Sequence, residues 1–391
     1  MALYQQRRNQ LSPFFSKASV RTLEPLILSK INRLCARLEG EGSVVTLTHA
    51  FVALTVDVIS SVCFGVSHGY LENKHFARDW YAGMVSSSRA GSSIRQFPWL
   101  HRLLAYFPRA GPRAARDGVA ADTARQRNLK KNIEEVIERR NRGEKPPASG
   151  GGLNTIFDSM LEADVPASEK SPARLIEEAQ TVMGAGAMTT VNALDTTFYH
   201  LLANPSCMER LAKELCAAIP DTAVPPSLVE LEALPYLTAV VHEGLRLSKG
   251  VPHRFARVSP DVSYSYGDVV IPRGVAVGMS FMDFLERPDV FPDPDIFHPE
   301  RWIPFDSPQV RQRRKSLVVF GGGTRMCLGL NLAWTELYMT VATVVRRMSN
   351  RLKMHDVVFE RDVKITVDGF NALASRQSRG LRVTIQPLEE V

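Results

Sequence analysis

One cysteine of the sequence lies in a setting that suits chemistry. Residues 320–329 are FGGGTRMCLG, so Cys327 follows three glycines and Arg325 and precedes another glycine. A thiol can act as a nucleophile, a redox centre, a metal ligand or core filler. No cysteine hydrolase signature surrounds Cys327, and a phosphate loop would need Gly-Lys-Ser/Thr where this loop has Thr-Arg-Met. Metal ligation fits better, because glycines let the backbone approach a flat cofactor and a helix expected from Leu328 onward directs its positive end at a thiolate.

The loop resembles that of a known family. The positions that match are Phe320, Gly323, Arg325, Cys327 and Gly329, and the pattern is the F-x-x-G-x-R-x-C-x-G loop of the cytochrome P450 haem-thiolate monooxygenases. The resemblance implies that the chain binds haem b (iron protoporphyrin IX) and that Cys327 ligates the iron. It also implies that the other four residues belong to the cofactor site.

Two further stretches follow in the family's order. Glu243 and Arg246 in EGLR fall at i and i+3, so they share one helix face. Alone, such a pair is ordinarily a solvated surface pair. Arg301 in FHPERW supplies the context, because the resemblance implies a buried Glu-Arg-Arg network beside the haem.

Haem propionates are carboxylates and need basic partners. The resemblance nominates Arg257 in RFARV, Arg325 in the cysteine loop and Arg8 in YQQRRNQL, with Tyr4 at the aromatic position four residues before Arg8. Arg8 can also be a solvated arginine near the start of the chain.

The stretch AGAMTT, residues 185–190, resembles the family's oxygen-binding helix segment, but Met188 replaces the usual acid. Gly184 and Gly186 in mid-helix indicate the close approach of something large, or plain packing against another helix. Thr189 either assists dioxygen or returns a hydrogen bond to the preceding helical turn.

Proton supply is the open question at this site. Met188 cannot relay protons, and Asp195 lies seven residues further, about 10 Å along a helix. One hypothesis is that Thr189 and ordered water suffice. The chain is then a monooxygenase that takes electrons from an NADPH-dependent reductase and inserts one atom of O2 into a small apolar terpenoid or polyketide of a fungal secondary-metabolite pathway. The others are a haem-thiolate isomerase or dehydratase, a peroxide-using enzyme, and an inactive haem-binding remnant.

Hydrophobic periodicity predicts the elements that position these residues. Apolar residues recur at helical spacing through the first 250 positions, and SPARLIEEAQ predicts a helix of about nine turns from Ser171 to before Asn204. After residue 250, short runs of period two predict strands within DVSYSY, DVVIP, VAVGM and GLRVTIQP. The expected fold is mainly α with small β-sheets, the haem-thiolate fold, as a single domain over 1–391 with an inter-helix loop at 143–152.

Composition excludes several classes of protein. The 391 residues are 45% hydrophobic and 23% charged, as in ordinary folded proteins. The net charge of +7 is dispersed and no nucleic-acid motif accompanies it, so no nucleic-acid partner is expected. The five scattered cysteines favour a reducing, intracellular compartment. The basic run at 311–315 is either a solvated charge run or a docking surface for the reductase.

No apolar window is expected to reach the length of a membrane span, and the start lacks a signal peptide core. The resemblance begins inside the family's arginine helix, which implies that an N-terminal portion is absent. Membrane association, at the endoplasmic reticulum, is therefore expected only through that missing segment.

Overall fold

The computed structural model describes residues 2–40, 44–97, 99, 113–145, 154–221 and 226–387. In these ranges the α-helices are α1 Ala2–Leu11, α2 Lys17–Thr22, α3 Glu24–Glu39, α4 Leu47–Phe64, α5 Arg78–Gln96, α6 Arg113–Asn141, α7 Ile156–Glu162, α8 Pro172–Ala203, α9 Pro205–Ala218, α10 Leu228–Glu232, α11 Pro235–Leu247, α12 Met282–Leu285, α13 Pro308–Ser316, α14 Leu330–Met348 and α15 Phe359–Asp362. The strands are β1 Val45–Thr46, β2 Phe255–Val258, β3 Tyr264–Tyr266, β4 Val269–Ile271, β5 Ala276–Met279, β6 Leu352–Met354, β7 Val367–Gly369, β8 Asn371–Leu373 and β9 Arg382–Ile385. The predicted mainly α fold with small sheets is confirmed.

The central helix is α8, which packs against α4, α6, α11 and α14. Its 32 residues make about nine turns, and it ends where Asn204 precedes Pro205, as predicted. Ser171 occupies the N-cap position, but its hydroxyl donates to Ser168 O at 2.9 Å and does not cap the helix. Pro172 therefore begins the helix without a side-chain cap.

Helix α4 corrects one expectation from the sequence. Over Leu47–Phe64 it is long and apolar enough, by length and composition, to cross a membrane, although no window of that kind was expected. In this fold 89% of that window is buried, against neighbours that include α3 and α8.

The sheets are small and antiparallel. Of the predicted runs, DVSYSY and DVVIP form β3 and β4, which pair with each other. VAVGM forms β5, which pairs with β2, and GLRVTIQP forms β9, which lies between β1 and β6. The register places Phe255 opposite Met279 and Arg257 opposite Val277. The pair β7 and β8 forms a tight hairpin whose tip is Phe370. Strands β1, β2, β6, β7 and β8 were not predicted; all of them except the four-residue β2 are two or three residues long, which leaves little room for a period of two to show in the sequence.

The loop predicted at 143–152 falls between α6 and α7. Residues 143–145 are described and lie in no helix or strand, and 146–152 lie outside the described residues.

Candidate active site

The cysteine loop is shaped by two of its glycines. Gly321 and Gly323 have φ of 71° and 64°, a left-handed conformation that other residues adopt only with strain. The chain then turns back, so that the Cys327 N–H donates to Phe320 O at 2.8 Å. Helix α14 follows with Gly329 at its N-cap, and its first residue is Leu330 rather than the predicted Leu328.

The Cys327 thiol lies two residues before the N-cap of this helix and lines a cavity of about 590 Å³. Burial raises the pKa of the thiol, while the Gly329 N–H that bonds to it and the charge of Arg8 act in the opposite direction. The helix N-terminus also favours a negative charge at this position. The surroundings therefore favour the thiolate once an electrophile or a metal ion offsets the cost of burial.

The same cavity collects most of the predicted site residues. Those that line it are Thr189, Arg257, Phe320, Arg325, Cys327 and Gly329. They come from α8, β2 and the cysteine loop, which are separated by up to 140 residues of chain. Arg8 and Gly323 are not among the lining residues.

Arg8 acts on the cavity through Tyr4. Its Nη1 donates to Tyr4 Oη at 3.3 Å, and Tyr4 Oη donates to Thr324 O at 3.3 Å. The Arg325 guanidinium carbon lies 3.3 Å from the centroid of the Tyr4 ring, a close cation–π contact. Helix α1 is thus fixed to the cysteine loop, with Tyr4 itself in the cavity wall.

One face of α8 forms another wall. Gly186, Thr189 and Thr190 are on this face, whereas Met188 is buried and does not line the cavity. The Thr189 hydroxyl donates to Ala185 O at 3.0 Å, which is the alternative that the sequence left open.

At Gly186 the structure favours packing against another helix, one of the two roles that the sequence allowed for the mid-helix glycines. A Cβ there would lie 3.0 Å from Ile59 Cγ1 in α4, tighter than normal contact, so this glycine permits the close packing of α8 on α4. Gly184 has room for a Cβ, which would lie 3.6 Å from Met84 Cε.

Comparison with known proteins bears directly on this geometry. The family model described as Cytochrome P450 matches residues 2–364. This chain belongs to the cytochrome P450 family. The family binds haem iron through a cysteine thiolate, and the enzyme is a P450 monooxygenase.

Relatives of this P450 are fungal enzymes. The chain is 38% identical to the cytochrome P450 monooxygenase sdnE of Sordaria araneosa, over 99% of this chain and 76% of that protein. It is 36% identical to the tryptophan 6-hydroxylase fscE of Fusarium equiseti, over 97% of this chain and 73% of that protein. It is 35% identical to the fusicoccadiene C-8 hydroxylase of Alternaria brassicicola, over 99% of this chain and 74% of that protein.

The residues of this P450 fit a haem. The cavity volume lies within the roughly 300–1,000 Å³ of small-molecule and cofactor sites. One thiol and two guanidinium groups face a space with otherwise largely apolar walls, which is the donor set for an iron and two carboxylates. Around Gly322, Gly323 and Gly329, nothing lies within 4 Å of the place where a Cβ would be, so the glycines leave open space along the loop.

The Glu-Arg-Arg network implied by the resemblance is assembled. Glu243 is fully buried; Arg246 Nη2 lies 2.8 Å from its Oε1, and Arg301 Nε lies 3.0 Å from the same oxygen. The Trp302 Nε1–H donates to Oε2 at 2.8 Å and the His298 N–H to Oε1 at 3.0 Å. The network holds the turn of residues 292–302 against α11.

An aromatic wall escaped sequence reasoning. Phe255, Phe281 and Phe370 all line the cavity; the Phe255 ring centroid is 6.1 Å from that of Phe281 and 5.6 Å from that of Phe370. Phe370 has φ of 74°, and one carboxylate holds its turn: Asp368 Oδ1 accepts from the Phe370 N–H and Asp368 Oδ2 lies 2.9 Å from His253 Nδ1. The three rings come together only in the folded chain, so no spacing pattern in the sequence predicts this wall.

The basic run at 311–315 divides in the structure. Arg313 donates to Val290 O at 3.0 Å and to Arg301 O, so it braces the chain around the Glu243 network. Arg311, Arg314 and Lys315 are exposed on α13.

Proposed function

We propose that this P450 inserts one atom of O2 into a small apolar metabolite of the terpenoid or polyketide type, in a fungal secondary-metabolite pathway. The observation that carries the proposal is the position of Cys327: its thiol accepts from the Gly329 N–H beside a helix N-terminus, in one cavity with Arg257 and Arg325. Electrons are supplied by NADPH through a separate reductase, and the exposed part of the basic run on α13 is a candidate contact for it.

In this proposal Cys327 holds the iron of haem b, and Arg257 and Arg325 neutralise its carboxylates. Phe320 lines the cavity and accepts from the Cys327 N–H, and Gly323 and Gly329 shape the loop. Arg8 supports the site indirectly, because it orients Tyr4 and its charge opposes the rise that burial causes in the pKa of the Cys327 thiol. A bound haem supplies the activation of O2, and the protein supplies its position and a largely apolar surrounding.

Thr189 is the hydroxyl proposed to orient dioxygen and protons on the α8 side. Its hydroxyl oxygen retains a lone pair while its proton goes to Ala185 O, so it can accept a hydrogen bond in the cavity. Rotation of the hydroxyl proton toward the cavity makes it a donor instead.

The cavity walls support an apolar substrate. Val182, Leu245, Phe255, Phe281 and Phe370 contribute apolar surface, which favours apolar groups over charged ones. The names of two relatives, a fusicoccadiene C-8 hydroxylase and a tryptophan 6-hydroxylase, agree with a ligand that presents a hydrocarbon or aromatic surface.

The test compares Cys327→Ser with Cys216→Ser, which changes an exposed cysteine outside the cavity. The reduced, carbon monoxide-bound spectrum should show a thiolate-type Soret band in the wild type and in Cys216→Ser, and none in Cys327→Ser. Wild-type enzyme with NADPH and a reductase should then incorporate label from labelled O2 into terpenoid or polyketide substrates. A thiolate-type band that survives in Cys327→Ser contradicts the assignment of the ligand, and unlabelled product contradicts the reaction.

A further inference from the structure

The tip of the β7–β8 hairpin is a strained aromatic residue. Phe370 alone connects the last pair of the hairpin, Gly369 and Asn371, and its φ is 74°. A bulky residue rarely adopts this left-handed conformation, whereas glycine adopts it freely. A glycine is available next to the tip, at position 369, but the tip itself is phenylalanine. Strain of this kind persists only where the surrounding structure holds it, and it is frequent at ligand sites.

One carboxylate holds the turn in this conformation. Asp368 Oδ1 accepts from the Phe370 N–H at 2.9 Å, and Asp368 Oδ2 lies 2.9 Å from His253 Nδ1. Burial raises the pKa of the Asp368 carboxyl. The hydrogen bonds from His253 and from the Phe370 N–H, together with the charges of His253 and Arg95, outweigh this, so the pKa lies below its usual value. Asp368 is therefore an anionic acceptor, which makes the stronger kind of hydrogen bond.

His253 connects this turn to a second wall of the cavity. It lies two residues before Phe255, the first residue of β2, and its ring centroid is 5.7 Å from that of Phe255 in a T-shaped arrangement. The His253 ring centroid is also 6.3 Å from that of Phe370. His253 and Asp368 are 115 residues apart, and neither lines the cavity, whereas both phenylalanines do. The His253–Asp368 pair therefore joins two cavity walls from outside the cavity.

The other side of the hairpin is fixed to α5. Asn371 Nδ2 donates to Ser88 Oγ at 3.0 Å, and Arg89 Nη2 donates to Ala374 O at 2.9 Å. A Cβ on Gly369 would lie 3.2 Å from Ser88 Cβ, tighter than normal contact, so the hairpin and the helix are closely packed. These contacts hold the hairpin on α5, and the histidine–aspartate pair holds its tip toward β2.

We propose that His253 and Asp368 are positioning residues for substrate selection. Their pair fixes the Phe370 ring beside Phe255, with 5.6 Å between the centroids and an interplanar angle of 84°, the edge-to-face arrangement that aromatic pairs favour. Both residues act through Phe370, because neither lines the cavity.

A fixed aromatic wall selects for flat apolar groups. Such groups pack closely on aromatic rings. A ring that is already held in place also loses little conformational freedom when a ligand contacts it, which strengthens binding. The inference rests on the monooxygenase function proposed above, and it narrows the apolar substrate to one with a flat unsaturated or aromatic part.

The first test needs neither substrate nor turnover. Fluorine NMR of the reduced, carbon monoxide-bound enzyme, with 4-fluorophenylalanine at position 370, reports on the held ring and should show one narrow resonance. Asp368→Ala should broaden or move it, because the turn loses its acceptor and its link to β2. Asp368→Asn should restore the resonance in part, because its amide keeps an oxygen for the Phe370 N–H and a group that can bond to His253.

Asp289→Ala is the matched control for this measurement. Asp289 forms an exposed ion pair with Arg287, and neither residue lines the cavity, so the variant should keep the wild-type resonance. A resonance in Asp368→Ala that is identical to that of the wild type would overturn the proposal.

The second test uses naphthalene, a flat apolar probe, titrated against the same fluorine resonance. Naphthalene should shift the resonance of the wild type, and its Kd should rise by about tenfold in Asp368→Ala, the order of magnitude of one hydrogen bond to a charged group. His253→Ala should weaken binding in the same way. The double variant should bind no more weakly than either single one, because the two residues act as one unit. Absence of a shift in the wild type, or losses that add in the double variant, would contradict the proposal.

The two proposals fail in different ways. A wild-type enzyme with a thiolate-type band but no NADPH-driven oxygenation refutes the proposed function. An oxygenating wild type whose Asp368→Ala variant keeps both the fluorine resonance and the affinity for naphthalene refutes the role of the His253–Asp368 pair alone.

Discussion

Glu243 and Arg301 lie 58 residues apart in sequence and meet as a buried ion pair, with 3.0 Å between Oε1 and Nε. Burial works against ionisation of Glu243, but the hydrogen bond and charge of Arg246 and the charge of Arg301 outweigh it, so the pKa of the carboxyl lies below its usual value. One carboxylate thus compensates two guanidinium groups that are 1% and 6% exposed. Arg313 donates to Arg301 O, so this network is linked to α13, the helix that precedes the cysteine loop.

Glu243→Gln should destabilise the protein strongly. It leaves Arg246 and Arg301 buried without a counter-charge, and the loss of one partner of a buried pair costs about 3–5 kcal/mol. Urea unfolding measures the loss. Glu300→Gln is the control: it removes a carboxylate from the same FHPERW stretch, but one that pairs with Arg210 at the surface, so it should cost less than about 1 kcal/mol. Equal losses in the two variants would show that Glu243 contributes no more than a surface charge.

Gly244→Ala should also destabilise, although alanine is the better helix former. A Cβ on Gly244 would overlap Thr197 Oγ1 and lie 3.0 Å from Thr197 Cβ, where α11 crosses α8. Overpacking of this kind costs about 1–3 kcal/mol, more than the roughly 1 kcal/mol that helix propensity returns. Calorimetry should show a lower Tm.

Two further variants distinguish the effect of steric overlap from the effect of helix propensity. Gly184→Ala, whose Cβ would make an ordinary contact 3.6 Å from Met84 Cε, should be neutral or stabilising. Adding Thr197→Ala to Gly244→Ala should restore part of the loss, because it removes the atoms in the way. A Tm for Gly244→Ala at or above the wild-type value would contradict the packing argument.

The parts of the fold and of the site that could be predicted are those determined by residues close together in the sequence. The limits of α8 were readable, because Pro172 and Asn204-Pro205 fix both ends by backbone geometry alone. The cysteine loop could be predicted because the residues that define it all lie within ten positions of one another.

Side chains whose roles depend on distant neighbours could not be assigned. The sequence around Glu336 does not distinguish it from a solvent-exposed glutamate on a helix. Only the packing of α14 on α8 buries it. Arg313 belonged to a run that predicted either a solvated or a docking surface, yet it binds carbonyl groups 12 and 23 residues away. Gly244 is part of the EGLR stretch, but its need to be glycine is set by Thr197, in another helix.

Asp195 supplies a prediction about pH. It projects from α8 toward the Thr48 hydroxyl of α4, and its Oδ1 has no hydrogen-bond partner within the described residues. Burial raises its pKa to about 7, and the Thr48 hydrogen bond opposes this only in part. Tyr81 faces it, and burial followed by the charge of Asp195 raises the pKa of that phenol too.

The protonated form of Asp195 is therefore the one that the fold favours. An unfolded aspartate has a pKa of about 3.9, so the stability linked to this proton is complete below about pH 4 and is lost as pH rises toward 7. Asp195→Asn, which keeps the shape without a titration, should flatten the fall of unfolding free energy in this window, by up to about 1.4 kcal/mol per pH unit. Urea unfolding at a series of pH values measures it. Asp261→Asn, at an exposed aspartate, should leave the wild-type slope. If Asp195→Asn keeps that slope as well, the carboxyl is already ionised in the folded protein at low pH.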